Sequence, residues 1–252
     1  MAQQPPHLRE QTRIAVMHEL RRLLPRMEGF ADETCVLSFG FPDIDSHLPQ
    51  GGLAFGTVHE FAPSADADLP ATFGFMAGLV GCLSGGPLIL VLPAHGFPGR
   101  PHGHGLNGLG LDPARLILVE TAATRESLWA IEEALRSQAP AAVAGFVDAL
   151  DLKTSLRLQL AARESGVPLF LLRPRVLEAS AAATRWRVGA AEAARDRFGL
   201  ITHFRWSLKL ERCRNGRPGE WVVEFDHVAH RFSLAAAMAD PAVSQRAGAR
   251  SR

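Results

Sequence analysis

Residues 87–92 read Pro-Leu-Ile-Leu-Val-Leu, an uninterrupted apolar run of strand length with no polar alternation. A run of that kind suits a strand covered on both faces, the situation of parallel sheets with helices packed above and below. The neighbouring sequence continues the theme. Upstream, Pro70 and the stripe Phe73, Met76, Ala77 and Val80 predict a helix over about 68–83, preceded by a short strand at Thr57–Phe61. Downstream, a Gly/Pro/His-rich loop (93–110) leads to a strand at Leu116–Val119, then to a helix over about 125–137 with Leu128, Ile131 and Leu135 on one face. Ala141–Val147 and Val167–Leu172 are two further apolar strands. Between them Leu152, Leu156 and Leu160 stripe a helix that Gly166 can terminate. The fold class is α/β, a mostly parallel sheet with helices on both faces.

The ends differ in character. Val16, Met17, Leu20, Leu23, Leu24 and Met27 recur at helical spacing opposite Glu19, Arg21, Arg22 and Arg26, an N-terminal helix that Pro25 ends near Leu24. Residues 38–61 are turn-dense, with Pro42, Pro49, Gly51 and Gly52. Near the other end Trp206, Leu208 and Leu210 alternate with Arg205, Lys209 and Glu211, the Asn215-Gly216 and Pro218-Gly219 pairs supply turns, and Trp221, Val223 and Phe225 resume the alternation. This is an antiparallel hairpin extension, with a further short strand expected at Val228–Phe232. The chain therefore divides into an N-terminal helix and linker (1–33), a core with its β extension (34–235) and a polar, Arg-rich tail (236–252).

With 252 residues, 47% hydrophobic and 21% charged, the composition excludes a largely disordered or collagen-like chain. No stretch approaches the roughly 18 apolar residues that cross a bilayer, and MAQQPPHLRE lacks the apolar centre of a secretory signal, so a cytoplasmic protein with no membrane partner is expected. Cys35, Cys82 and Cys213 match no metal or disulfide spacing and read as buried thiols. The net charge of +1 conceals an asymmetry: residues 1–172 carry 12 Lys/Arg against 18 Asp/Glu, and residues 173–252 carry 15 against 8. A basic final third can meet nucleic acid or an acidic protein, and can equally be a solvated face.

In a parallel α/β sheet the turn after an early strand is where glycine-rich backbone cradles phosphate. Here that turn is Ala62–Leu69, APSADADL, and between Thr57 and Phe73 there is neither glycine nor lysine. Asp66 and Asp68 stand in their place. A carboxylate about 4 Å from a phosphate charge, at an effective dielectric near 20, costs on the order of 4 kcal/mol. Ala62, Pro63, Ser64, Asp66 and Asp68 thus form a degenerate phosphate-loop segment, the two acids reading as helix N-terminal carboxylates, and no cofactor is expected. His95, His102 and His104 share one loop without a carboxylate or thiolate to complete a metal set, so no metal is expected either. Asp148, at the end of an apolar strand, reads as a cap for the next helix. No catalytic residue emerges.

The basic third offers candidates for interaction: Arg185, Trp186 and Arg187, then Arg205, then Arg212, Arg214 and Arg217 around the hairpin turn. Arginines beside aromatics suit phosphate, stacked bases or an acidic protein surface. The other reading makes Trp186, Trp206 and Trp221 core residues on alternating strand positions, with the arginines turned to water.

Six segments in order carry a family resemblance: SFGFPDIDSHLPQGGLAFGTVHEF (38–61), GLNGLGLDPARLILVE (105–120), LWAIEEALR (128–136), LRLQLAARESGVPLFLLRP (156–174), TRWRV (184–188) and RWSLKLERCRNGRPGEW (205–221). Together they resemble the ImuA family, RecA-like accessory proteins of bacterial damage-induced mutagenesis. The resemblance implies a RecA-like core and a noncatalytic accessory or scaffold role in SOS-induced error-prone translesion synthesis, with ImuB and an ImuC-type polymerase as partners and a RecA filament as a further one. Single-stranded DNA is a further candidate for the basic segment. Against recombinases, HEFAPSADADLPAT (59–72) fills the phosphate-loop segment without its glycines or Lys-Thr pair, and VLPAHGF (91–97) has Ala94 before His95 where a recombinase places its catalytic glutamate. The competing readings are a RecA-like ATPase with an unconventional phosphate site and a SulA-like cell division inhibitor.

Overall fold

The computed structural model describes residues 35–235, apart from 98–99, 176–178 and 196. The expected N-terminal helix and C-terminal tail lie outside the described residues. The short strands β1 (Val36–Leu37) and β2 (Leu53–Ala54) pair with each other, and helix α1 (Pro42–Asp45) lies between them. Then come β3 (Val58–Pro63), α2 (Leu69–Gly81), β4 (Leu88–Pro93), α3 (Gly103–Gly108), β5 (Leu116–Thr121), α4 (Thr124–Arg136), β6 (Ala142–Phe146), α5 (Leu152–Ser165) and β7 (Leu169–Leu172). After β8 (Thr184–Ala190) the order is β9 (Ala194–Arg195), β10 (Ile201–Cys213), β11 (Gly219–Asp226) and β12 (Arg231–Leu234).

One sheet runs β12-β11-β10-β8-β3-β7-β6-β4-β5, with β9 on the start of β10. From β8 to β5 every pairing is parallel, and β8, β10, β11 and β12 are joined antiparallel. The hairpin is therefore a continuation of the main sheet, spliced on through β8. The continuous apolar runs form the central strands because both faces are covered. On one face Phe61, Leu90, Phe170 and Trp186 pack against Phe75, Met76 and Leu79 of α2. On the other, Val58, Val91, Val143 and Leu169 pack against Ile131 and Leu135 of α4 and Leu158 of α5. Gly145 permits that second contact: a Cβ there would stand 2.5 Å from Ile131 Cδ1. Gly166, at φ 73°, ends α5 as expected.

Several expectations need correction. The 93–110 loop contains α3. The last strand begins at Arg231, because Asp226 Oδ1 accepts from the Val228 and Ala229 N–H groups and folds that segment into a turn. Asp148 does not cap α5. Asp151 does, accepting from the Thr154 N–H at 2.6 Å, while Asp148 pairs with Arg175 at 2.9 Å. The thiols are not buried as expected: Cys35 and Cys82 are exposed and Cys213 is half-buried, since Cys35 enters β1 from the surface and Cys82 closes the outer end of α2. The leucine stripe of α5 is inverted, its sheet side being Ser155, Leu158, Ala161 and Ala162. Small residues there let the helix lie close to the strands, which turns Leu152, Leu156 and Leu160 outward.

Candidate functional site

The turn between β3 and α2 sits at the C-terminal end of a central parallel strand, where ligands bind in open α/β sheets. Three of its backbone amides are engaged within the protein. The Ser64 N–H donates to the Val188 carbonyl at 2.9 Å, Ala65 to Asp68 Oδ2 at 3.1 Å, and Asp68 to the Ala65 carbonyl at 2.8 Å. The second oxygen of Asp68 accepts from the Ala190 N–H at 3.0 Å. Pro70, in the first turn of α2, has no N–H to offer. Thr72, one turn into α2, is fully buried and donates to the Asp68 and Val188 carbonyls at 2.9 and 3.2 Å. Asp66 is exposed at the mouth. Asp68 thus acts as an internal clamp joining the turn to β8.

Beside the turn lies an open groove of about 580 Å³ between α2, α3 and β10, lined by Phe73, Phe97, Leu106, Leu109, Phe204 and Trp206. Its walls are largely apolar. The two rim arginines are engaged, Arg100 with Glu120 at 3.2 Å and Arg205 with Glu224 at 3.0 Å. Among the described residues no group of three His, Cys, Asp or Glu side chains can hold a metal. His102 and His104 stand 5.4 Å apart, ring to ring.

The candidates of the basic third fall into two groups. Trp186 is fully buried, its indole N–H bonded to Thr184 Oγ1 at 3.0 Å. Trp206 is buried too and donates to the Ala71 carbonyl at 2.9 Å. Arg187 reaches Glu211 at 2.9 Å and the Pro63 carbonyl at 3.2 Å. With Arg205–Glu224 and Lys209–Glu220 at 2.7 Å, it builds cross-strand pairs on the sheet face opposite α2. At the hairpin turn Arg212 donates to the Ser180 carbonyl at 2.7 Å, Arg214 to Ala181 at 3.3 Å and Arg217 to Ser46 at 3.2 Å.

Sequence reading passed over the most elaborate polar cluster. Glu60, fully buried in β3, accepts from Arg173 Nη1 at 2.9 Å, Arg185 Nε at 3.0 Å and Ser180 Oγ at 2.9 Å. Arg173 is also buried, and its Nε has no hydrogen-bond partner among the described residues. On the other side of β3, His59 touches Thr57, Thr184 and the Ala54 carbonyl, and burial pulls its pKa down to about 4. The available signal was the polar pair His59-Glu60 inside an otherwise apolar strand.

These observations define a RecA-like α/β protein in which the turn between β3 and α2 is built as a structural joint to β8. The solved structure of the RadB recombinase supports the fold, with a TM-score of 0.56 covering 79% of this chain and 100% of that one at 17% identity. No protein-family model matches the chain. Protein ImuA of Caulobacter vibrioides, in strains NA1000/CB15N and ATCC 19089/CB 15, is 36% identical over 234 residues, covering 84% of this chain and 93% of the relative. The chain belongs to the ImuA family. Among the described residues no helix is long and apolar enough to cross a membrane.

Proposed function

We propose that this protein is a noncatalytic RecA-like accessory protein of SOS-induced error-prone translesion DNA synthesis, acting in the cytoplasm with ImuB and an ImuC-type polymerase and docking on RecA filaments. The RecA-like fold is a known ATPase fold, so the β3–α2 turn decides between turnover and scaffolding. The observation that carries the reading is Asp68: its carboxylate holds the Ala65 and Ala190 amides and places negative charge where a triphosphate would have to sit. The test is thermal unfolding with ATP and magnesium. A ligand at about 100 times its dissociation constant adds roughly 2.7 kcal/mol. No shift is expected, and a reproducible shift with hydrolysis lost on mutation would overturn the reading.

In this reading the hairpin-turn cations Arg212, Arg214 and Arg217, of which Arg212 and Arg217 are exposed, meet an acidic protein partner. Reversing all three in a folded protein should weaken pull-down of ImuB. Unchanged pull-down removes the basic turn from the account, and a selective loss of single-stranded DNA retention assigns it to DNA instead.

A further inference from the structure

Strand β5 is the last strand on its side of the sheet, paired with β4 and with no strand beyond it among the described residues. The Ala94 N–H donates to the Thr121 carbonyl at 2.8 Å. Ladder bonds alternate along a strand, so Ile117, Val119 and Thr121 turn their backbone groups to β4, and Leu116, Leu118 and Glu120 turn theirs outward. A row of free backbone donors and acceptors is a template for another strand, and sheets ordinarily blunt it with lysine, proline, a bulge or a very short edge. β5 uses none of these: its six residues, Leu-Ile-Leu-Val-Glu-Thr, run in unbroken register with β4. The opposite edge, β12, has four residues and begins with Arg231. Both sides of the β5 edge are also apolar and open, Ile117 being 50% exposed on the α4 side and Leu118 41% on the other.

Backbone chemistry and size select the occupant. Beside this edge lies a pocket of about 80 Å³ lined by Leu92, Phe97, Pro101 and Leu118, whose two charged residues, Arg100 and Glu120, pair with each other at 3.2 Å. A free backbone edge with a neutral recess for one small side chain is what strand addition uses, ladder bonds giving affinity and the recess giving specificity. A second copy docked through β5 alone would bring six residues, where a stable interface needs about 20–30 on each side. The chain's own apolar stripe, Val16, Met17, Leu20, Leu23, Leu24 and Met27, has helical spacing and does not alternate as a strand must. We infer that the β5 edge takes up an extended segment of a protein partner as an added strand, a small aliphatic side chain of that segment entering the pocket beside Leu118. The inference deepens the accessory reading and rests on it for the existence of a protein partner.

The test is residue-resolved hydrogen exchange of the full chain, free and bound to ImuB, to an ImuC-type polymerase or to a RecA filament. In the free chain the Leu118 and Glu120 amides should exchange fast and the Ile117, Val119 and Thr121 amides slowly. In the complex the first two should slow about tenfold or more, an alternating signature that a side-chain contact over the edge does not give. Leu118→Pro removes one outward donor without taking a bond from β4, and Ala94→Leu places a larger side chain in the pocket. Each should weaken binding about tenfold. Partner binding that leaves the Leu118 and Glu120 amides exchanging fast, or that both variants retain in full, overturns the inference and leaves the accessory reading standing. Absence of binding by all three proteins removes that reading and the inference with it. Slow exchange of the two amides in the free chain, relieved by removing residues 1–33, assigns the edge to the chain's own N-terminal segment, and slowing that grows with concentration assigns it to a second copy; either result also overturns the inference.

Discussion

Replacing Glu60 by glutamine keeps the side chain's volume and removes one charge from the middle of the sheet. The carboxylate is fully buried and faces two guanidiniums, Arg173 at 2% and Arg185 at 17% side-chain exposure, so water screens the cluster little. Glutamine leaves two cations without a counter-charge and turns an amide NH2 toward a donor, Arg173 Nη1 on one side or the Arg185 Nε and Ser180 Oγ pair on the other. Breaking a buried pair in this way costs about 3–5 kcal/mol. For a domain of this size that corresponds to a fall of roughly 6–20 °C in Tm. Urea unfolding followed through the fluorescence of the buried Trp186 and Trp206 measures it directly. Glu60→Leu combined with Arg173→Met should recover part of the loss, because it removes a cation together with its partner. A loss below about 1 kcal/mol in Glu60→Gln would refute the claim that this cluster carries an interior charge balance.

His59 makes stability depend on pH. Its folded pKa of about 4 lies below the ordinary 6.5, so the unfolded chain binds the extra proton between those values. The His59 contribution is full above pH 6.5 and declines as pH falls toward 4, by at most about 1.4 kcal/mol per pH unit and on the order of 3 kcal/mol in all. Urea midpoints at pH 7 and pH 4.5 should diverge less in His59→Gln; an identical divergence would remove His59 as the cause. Asp68→Ala releases the Ala65 and Ala190 amides and should cost about 1–2 kcal/mol in chemical denaturation, whereas an unchanged midpoint would deny Asp68 its clamping role. On α5, Leu158→Ala should cost about 2–5 kcal/mol and Leu156→Ala stay within about 0.5, and comparable losses would place the leucine stripe on the wrong side of the helix.

The central strands were legible because burial on both faces leaves a run such as 87–92 no polar position, and the hairpin because single-sided burial imposes alternation on Trp206, Leu208 and Leu210. Helix α5 misled for a definable reason. Apolar periodicity marks a stripe without saying which way it points, and the sheet side of this helix is built from Ser155, Ala161 and Ala162 around one leucine, a weaker signal than three leucines in register. The Glu60 cluster was illegible because its partners lie 113, 120 and 125 residues away in sequence. That the turn after β3 lacks glycine and lysine was legible from composition alone and needs no geometry. What the sequence could not supply is where the Ser64, Ala65 and Asp68 amides go.

The bonds the turn does make tie it into the sheet. The turn connects the two halves of the sheet: Ser64 and Thr72 bond to the Val188 carbonyl, and Asp68 bonds to the Ala190 amide, both acceptor and donor lying at the end of β8, the strand that joins the parallel strands to the antiparallel ones. Gly189, between them, has no room for a side chain, because a Cβ there would stand 2.7 Å from Ser207 Oγ and 3.1 Å from Ser64 Oγ. Removing the Asp68 carboxylate would free the Ala65 and Ala190 amides and loosen the joint that holds β8 to α2. The bonds that fill this turn are therefore the same bonds that fasten β8, and through it the antiparallel strands, to α2.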